Sequence, residues 1–185
     1  MNNLEMVDIE TLKYPIGKYK KPNSFSQEEI DVWIKIIDEF PAKLDATVSH
    51  LTDAQLDTAY RRAGSTIRQI VHHCADSHIN SFVRFKLALT EDQPTIKPYF
   101  EDRWAELIDA RVMPIAPSIM ILKGIHQRWV TMLRHLDQNQ LSLIFIHPGH
   151  GRKISIQENI ALYAWHCKHH LAHITVTIRA NQWID

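Results

Sequence analysis

The sequence has few cysteines, no long apolar run and no net charge, and each shortage excludes a class of protein. Two cysteines among 185 residues are too few for a disulfide framework, so we expect a protein of the reducing cytoplasm. The 21 basic side chains balance the 21 acidic ones, whereas nucleic-acid binders normally carry a basic excess, so we expect no nucleic-acid partner. The longest uncharged apolar stretch has 11 residues, while a membrane span needs about 20. We therefore expect no membrane span, and the first 25 residues lack the apolar segment of a signal peptide.

Glycine is also scarce, with 5 residues, which suits long helices joined by few tight turns. Apolar residues recur at helical spacing in four long segments. Three of these segments begin at a capping-box pattern, led by Ser26, Thr66 and Ser155. The remaining segment begins with Pro117, which helices tolerate in their first turn. Pro41 lies inside the first segment, so we expect it to kink or break that helix near its midpoint.

Four amphipathic helices with almost no strand pattern can bury their apolar stripes only against one another. The sequence therefore predicts an all-α four-helix bundle with long loops and short extra helices. We expect residues 1–23 to form an extended N-terminal segment. We expect residues 24–185 to form a single four-helix-bundle domain, which binds metal for the reasons given next. We also expect one short helix around Trp104–Ile108 and one short strand at Leu143–Ile146.

Histidine is abundant, with 12 residues, and four of them fall within eight positions of the fourth helix: His166, His169, His170 and His173. At 100° per residue, all four lie in one arc of about 100°. The pairs His166/His170 and His169/His173 each have the spacing that lets two imidazoles reach one ion. The first pair lies nearer the apolar stripe and should face the bundle interior. The second pair should lie nearer the edge of the bundle or a partner surface.

The second helix offers a ligand from the opposite side. A seam of polar side chains without Lys or Glu runs along it, formed by Thr66, Gln69, His73, Ser77, Asn80 and Arg84. A polar seam inside a bundle costs stability unless it is satisfied, so this one predicts a lined cavity. His73 lies on the seam and is favoured as a ligand over His72, which falls on a mixed face.

Three further candidates carry less weight. A di-iron site would need Glu-x-x-His on two helices, and the sequence contains no such motif. His126 lies in the apolar stripe of the third helix, either as a hydrogen-bonded core histidine or as a residue that supports a metal ligand or contacts the substrate. Cys74 and Cys167 each follow a proposed ligand by about 100° of helix rotation. We expect both to be small buried residues rather than ligands.

Several motifs together resemble the YfiT-like members of the DinB superfamily, a group of metal-dependent hydrolases that includes bacillithiol transferases. The resemblance runs over nearly the whole chain, from residue 14 to residue 183. It is carried by YPIGKY (14–19), TIRQIVHHCADSHINSFVRFKLALTE (66–91), HQRW (126–129), HPG (147–149) and YAWHCKHHLAHI (163–174). The resemblance implies a four-helix bundle, a homodimer, and one divalent ion held by His73, His166 and His170. These ligands agree with the helical-wheel argument.

Three histidine ligands leave coordination positions open for water or substrate, which is typical of a catalytic site. Imidazole suits several divalent metals, of which zinc is expected first and nickel second. The ion could activate water for hydrolysis, or hold a small thiol as thiolate for transfer to an electrophile. The sequence therefore predicts a metal-dependent hydrolase, or an S-transferase of a low-molecular-weight, bacillithiol-like thiol, acting on small molecules. The alternative is a non-catalytic metal-binding or stress-response protein. No general base is evident.

Overall fold

The computed structural model describes residues 9–149 and 151–183, so the prediction for residues 1–8 lies outside the described part of the chain. Helices account for most of the structure, and the strands form only one hairpin. In chain order the elements are α1 (Ile9–Lys13), α2 (Gln27–Val48), α3 (Asp53–Leu56), α4 (Ile67–Thr90), α5 (Glu101–Trp104), α6 (Ile108–Val112), α7 (Ala116–Leu133), α8 (Gln138–Ser142), β1 (Ile144–His147), β2 (Arg152–Ser155) and α9 (Ile156–Ala180).

The long helices α2, α4, α7 and α9 form a four-helix bundle, which confirms the predicted fold class. Helices α2 and α4 each pack against both α7 and α9, so α4 and α9 are neighbours although α7 separates them in sequence. The apolar stripes merge into one core whose largest buried side chains include Trp129, Phe40 and Phe85. Within the described ranges, no helix is both long and apolar enough to cross a bilayer. The contact between α4 and α9 matters most, because the candidate metal ligands lie on these two helices.

The predicted helix starts are largely confirmed by their caps. Ser26 before α2 and Thr66 before α4 both form complete capping boxes with the residue three positions on. The box predicted for α9 is only half formed. Ser155 accepts a hydrogen bond from the Glu158 amide, but the buried Glu158 carboxylate instead pairs with Arg152 at 2.6 Å and Lys21 at 2.7 Å. Two cations therefore compensate for its burial, and the reciprocal half of the capping box is lost.

Of the two outcomes expected at Pro41, a kink or a break, the break does not occur, because α2 continues from Gln27 to Val48. Proline lacks the amide hydrogen that would donate to the carbonyl four residues earlier, which belongs to Ile37. His126 on α7 replaces the missing donor, with its Nδ1 atom 2.6 Å from the Ile37 carbonyl oxygen. A tertiary hydrogen bond thus satisfies a buried group that would otherwise cost about 1–3 kcal/mol.

The short elements differ more from the sequence predictions. The strand expected at 143–146 is present as β1 and pairs antiparallel with an unexpected β2, in the register Ile144↔Ser155 to His147↔Arg152. Two short helices, α5 and α6, replace the single one expected around residues 104–108. The N-terminal segment contains the short helix α1 where an extended chain was expected.

The hairpin helps to position the loop that follows α4. Ile146 donates its amide hydrogen to the Pro94 carbonyl at 2.8 Å and accepts one from Ile96 at 3.0 Å. This anchors residues 94–96, so the chain leading to Tyr99 and α5 is held close to the bundle. The same stretch supplies acidic and aromatic side chains to the site described below.

We expect Pro41→Ala to reduce the loss of unfolding free energy that His126→Leu causes. The leucine leaves the Ile37 carbonyl buried without a donor, whereas an alanine at position 41 restores the amide hydrogen of an ordinary helix. The loss of unfolding free energy caused by His126→Leu should be about 1 kcal/mol smaller in the Pro41→Ala background. Urea unfolding of the metal-free wild type, both single variants and the double variant measures this coupling. Equal losses in both backgrounds would contradict the account.

Candidate metal centre

Three histidine rings from two adjacent helices meet on the interior side of α9. His73 projects from α4, and His166 and His170 lie on successive turns of α9. The ring centroids are 5.4 Å apart for His73 and His166, 4.8 Å for His73 and His170, and 4.3 Å for His166 and His170. One nitrogen from each ring lies within 4.8 Å of the other two. The structure thus brings together the three residues that the sequence analysis assigned to the metal.

Burial keeps these rings in the neutral form that a metal requires. Loss of solvation lowers the pKa of His166 and of His170 well below 6.5, and their histidine neighbours lower it further. Burial also lowers the pKa of His73, and the nearby Glu101 carboxylate partly opposes this shift. Near neutral pH each ring therefore carries one nitrogen with a free lone pair, the form in which histidine binds metals.

The donor set fits a divalent ion such as zinc or nickel. The group contains imidazoles alone, with no cysteine or carboxylate ligand among the described residues. The Nδ1 atom of His170 is buried and makes no hydrogen bond to the described part of the chain. A buried polar atom without a partner is unusual, and a bound ligand would explain this one.

His72 is turned away from this group, in line with the choice of His73. Its Nδ1 atom lies 2.8 Å from the Ser118 hydroxyl, and its Nε2 atom lies 3.2 Å from the Met113 carbonyl oxygen. Both ring nitrogens therefore have partners on the α6–α7 side of the bundle. His72 thus attaches another part of the chain, whereas His73 on the seam faces the rings of α9, and its role as a metal ligand stays a prediction.

The second histidine pair is more buried than the sequence suggested. His169 and His173 are 7% and 4% exposed, although both were expected near an edge or a partner surface. The N-terminal segment covers them: the Lys13 carbonyl lies 3.1 Å from Nε2 of His173, and the ring of Tyr14 lies 6.1 Å from that of His169. With His170 they form a second group whose ligand atoms lie within 4.8 Å of one another.

Comparison with known proteins agrees with the fold. The model of the DinB superfamily matches residues 36–174. The chain belongs to this superfamily. It is 47% identical to "Putative metal-dependent hydrolase YfiT" of Bacillus subtilis over 172 residues, which cover 93% of this chain and 97% of that protein. It is 46% identical to a protein of Oceanobacillus iheyensis named a putative metal-dependent hydrolase, over 92% of this chain and 98% of the relative.

The fold similarity is equally extensive. A solved structure of Bacillus subtilis YfiT, described as a probable metal-dependent hydrolase with an unusual four-helix bundle topology, superimposes with a TM-score of 0.92. The two chains share 46% identity, and the match covers 94% of this chain and 99% of the other. The DinB-superfamily bundle therefore extends over essentially the whole described chain.

One histidine that the sequence analysis did not consider lies at the centre of this DinB-superfamily bundle. His78 on α4 is completely buried, with Nδ1 2.6 Å from Nε2 of His126 and Nε2 3.1 Å from Nδ1 of His166. It lies five residues after His73 and thus off the polar seam. The available signal was a second histidine, His126, in an otherwise apolar stripe, since a buried imidazole needs partners for both nitrogens.

Neither cysteine joins the metal group. Cys74 and Cys167 are free and buried, and burial raises the pKa of both thiols above the ordinary value. They are therefore neutral thiols in the core at physiological pH. This confirms the expectation that both are small packing residues.

Two cavities adjoin the histidine group from different sides. A cavity of about 240 Å³ lies against His73 and His170, and one of about 370 Å³ lies against His166. Glu101 and Asp102, at the start of α5, line both cavities. The larger cavity falls within the roughly 300–1,000 Å³ that is typical of small-molecule pockets, and the smaller one lies just below that range.

The larger cavity has a distinctive polar lining. Burial raises the pKa of the Tyr99 and Tyr163 hydroxyls, so both stay protonated. The Tyr163 hydroxyl donates to the Ser77 carbonyl at 3.1 Å, whereas the Tyr99 hydroxyl has no partner among the described residues. Arg84, at the far end of the α4 seam, is half-buried there and makes no hydrogen bond or ion pair with the described residues. Tyr99 and Arg84 are therefore available to a bound molecule that carries oxygen atoms or negative charge.

Metal analysis should separate the two histidine groups. We expect His73→Ala and His166→Ala to lose most of their bound metal, because each removes a ligand that faces the shared cavities. His169→Ala and His173→Ala should keep most of theirs, because these residues pack beneath the N-terminal segment. Purified variants are loaded with zinc or nickel, desalted and assayed for metal per chain. Loss in His169→Ala as complete as in His170→Ala would instead place the ion in the second group.

The metal-free protein should lose stability on acidification, partly through His126. Burial lowers the pKa of His126 to about 4, although its bond to the Ile37 carbonyl opposes the shift. Unfolding restores a pKa of about 6.5, so between these pH values the unfolded chain binds the extra proton and stability falls as pH falls. His126→Gln should reduce this slope by up to about 1.4 kcal/mol per pH unit, measured by urea unfolding between pH 7 and pH 4.5. Equal slopes in both proteins would contradict the assignment.

Proposed function

We propose that this protein is a metal-dependent enzyme that binds one divalent ion per chain through His73, His166 and His170. Zinc is the first choice of ion and nickel the second. The substrate is a small molecule, and the reaction is hydrolysis, with transfer of a low-molecular-weight thiol to an electrophile as the second candidate. The names of the relatives support the hydrolase class. The homodimer and the cytoplasmic location stay predictions.

One observation carries the proposal: three neutral imidazoles converge where two cavities meet. Structural zinc sites are closed by four protein ligands, whereas catalytic sites keep at least one position open. No fourth ligand joins His73, His166 and His170 among the described residues. The remaining positions would therefore face the cavities, where a small molecule can reach them.

The chain supplies no thiol nucleophile at this point. Its two thiols are buried, neutral and outside the cavity linings, so a cysteine-based covalent mechanism is not supported. A nucleophile from solvent or from a second substrate fits the open space beside the three histidines. A bound divalent ion would supply the missing activation, by lowering the pKa of a water molecule or by holding a thiol as its thiolate.

The cavity residues have the properties needed to handle protons and to orient a substrate. Glu101 lies close enough to His73 to affect its pKa, and its carboxylate is available to accept a proton released in either cavity. The Tyr99 hydroxyl, which has no partner among the described residues, can donate to a substrate oxygen. Arg84 can pair with a carboxylate or phosphate on the substrate.

Thiol transfer is kept as the second candidate because there are two cavities rather than one. A hydrolase needs room for one organic substrate and a water molecule, whereas a transferase must hold two organic molecules side by side. The cavities against His73/His170 and against His166 would provide two such places, bridged by the carboxylates of α5.

A non-catalytic metal-binding or stress-response protein is a weaker account. Metal storage or sensing would explain the converging histidines. It gives no reason for a half-buried Arg84 that pairs with no described residue, two buried tyrosine hydroxyls and a pair of carboxylates to line the space beside them. Such convergent polar groups in a cavity are typical of substrate-binding sites.

Turnover should require both the metal and Glu101. We expect chelation to abolish hydrolysis of a panel of small esters and amides, and zinc or nickel to restore it. Glu101→Gln should lower kcat by about 10²–10⁴-fold while metal content stays at the wild-type level, because the change removes a proton acceptor and no ligand. The same proteins are assayed with small thiols and electrophiles to separate the two candidate reactions.

The exposed Glu28→Gln on α2 is the matched control, since it makes the same change in charge away from the site. Its activity should equal that of the wild type. Turnover that persists after complete metal removal would reject the proposal. Metal-loaded protein that is inactive towards every ester, amide and thiol–electrophile pair would favour the non-catalytic alternative.

A further inference from the structure

A chain of hydrogen bonds runs from helix α2 through the core to the candidate metal centre. It starts at the Ile37 carbonyl, which lies 2.6 Å from Nδ1 of His126. Nε2 of His126 lies 2.6 Å from Nδ1 of His78, and Nε2 of His78 lies 3.1 Å from Nδ1 of His166. His78 and His126 are fully buried, so no solvent interrupts the chain.

This chain can have only one direction when the rings are neutral. A carbonyl oxygen only accepts hydrogen bonds, so Nδ1 of His126 carries the hydrogen and its Nε2 is an acceptor. Nδ1 of His78 must then donate to that acceptor, which leaves Nε2 of His78 without a hydrogen. Nδ1 of His166 donates in turn, and Nε2 of His166 carries the free lone pair.

Pro41 explains why the hydrogen-bond chain starts at a backbone acceptor on α2. In an ordinary helix the amide at position 41 would donate to the Ile37 carbonyl, and a histidine would compete for it. Because proline has no amide hydrogen, that carbonyl has no donor from its own helix. The direction of the whole chain is thus set by one backbone oxygen on α2.

The other two candidate ligands are not held in this way. The rings of His73 and His170 make no hydrogen bond to any described residue, and Nδ1 of His170 is buried without a partner. The only other hydrogen bond between His166 and a described residue joins its Nε2 atom to the Ser77 hydroxyl, at 3.4 Å. His166 is therefore the one member of the three whose orientation and tautomer are imposed by the core.

We infer that His78 and His126 are positioning residues that hold His166 in the Nδ1–H tautomer, so that Nε2 is the metal-binding nitrogen. The inference rests on the proposed role of His166 as a ligand. Histidine ligands in metal sites generally donate their second ring hydrogen to an acceptor, and loss of that acceptor typically weakens metal binding about 10–100-fold. Here the acceptor is another histidine, which a third histidine and the Ile37 carbonyl orient in their turn.

The first test uses the metal-free protein and therefore does not depend on the proposed function. Long-range ¹H–¹⁵N NMR spectra distinguish the two neutral tautomers of each histidine ring. We expect His78, His126 and His166 to be Nδ1–H at pH 7.5. In His78→Leu the His166 ring loses its acceptor and should show a mixed or Nε2–H tautomer. An Nε2–H form of His166 or His78 in the wild type would overturn the inference.

The second test measures metal binding with pairs of substitutions. His78→Leu and His126→Leu should weaken zinc affinity, with about a 10–100-fold loss for His78→Leu and a smaller one for His126→Leu. His78→Gln should recover much of the affinity, because the glutamine amide provides both a donor and an acceptor. Competition with a chromophoric chelator gives the dissociation constants, and cobalt absorption spectra report changes in ligand geometry.

A control separates positioning from general destabilisation. Phe85→Leu alters an equally buried position on α4 without touching the hydrogen-bond chain, so it should lower the unfolding free energy while zinc affinity stays within about threefold of the wild type. Wild-type affinity and an unchanged cobalt spectrum in His78→Leu would reject the positioning role. If none of the proteins binds metal while the wild-type tautomers are as expected, the proposed function fails and the directed chain stands.

Discussion

The interior of this bundle depends on one requirement, that the Ile37 carbonyl, which lies one turn before Pro41 in α2, must have a hydrogen-bond donor. Because Pro41 has no amide hydrogen, it cannot donate to the Ile37 carbonyl in the middle of α2. Nδ1 of His126, on α7, donates to that carbonyl oxygen instead, at 2.6 Å. That bond leaves His126 with an acceptor nitrogen, which His78 satisfies from α4. A core carbonyl without a hydrogen-bond donor would cost about 1–3 kcal/mol. The bond from His126 to Ile37 and the bond between His126 and His78 therefore constrain the positions of α2, α4 and α7 together.

The seam along α4 shows how a similar requirement for hydrogen-bond partners turns into a site. At its start, Thr66 and Gln69 cap the helix, and the Gln69 amide also binds the Ala105 carbonyl at 2.8 Å. In the middle, Ser77 contacts the Tyr163 hydroxyl at 3.1 Å, and His73 faces the rings of α9. Between Gln69 and Ser77, a lysine or glutamate on this seam would bury an unpaired charge, which explains why both are absent there, whereas the charged Arg84 lies at the half-buried far end. The seam thus attaches the α5–α6 segment, lines the cavities and supplies one candidate ligand.

Much of the architecture could be predicted because it depends on local signals. The capping boxes at Ser26 and Thr66 and the choice of His73 over His72 followed from spacing along single helices. The continuity of α2 through Pro41 could not be predicted, because its compensating donor lies 89 positions away. His78 was missed for the same reason, since both of its partners come from other helices.

Helical periodicity also could not predict that His169 and His173 are buried. A wheel projects His169 and His173 away from the core correctly, but it cannot show which distant segment covers them. The N-terminal segment does so through the Lys13 carbonyl at His173 and through a bond from the Trp165 indole to the Gly17 carbonyl at 3.2 Å. The absence of a regular pattern in that segment gave no sign of this docking.

The segments that pack over α4 and α9 determine from which direction a substrate can approach. The N-terminal segment packs against His169 and His173, although His173 also lines the smaller cavity. Glu101 and Asp102 of α5 line both cavities beside the candidate ligands, so we expect a substrate to approach from the side of α5. The histidines belong to helices of 24 and 25 residues, whereas the acidic pair belongs to a helix of 4 residues on a loop anchored by the hairpin. Rigid helices suit ligands that must be held to a fraction of an ångström, and loop-borne side chains can change more readily without cost to the core. We therefore expect substrate selection to depend on the α5 loop, and metal binding on the histidines and the hydrogen-bond chain behind them.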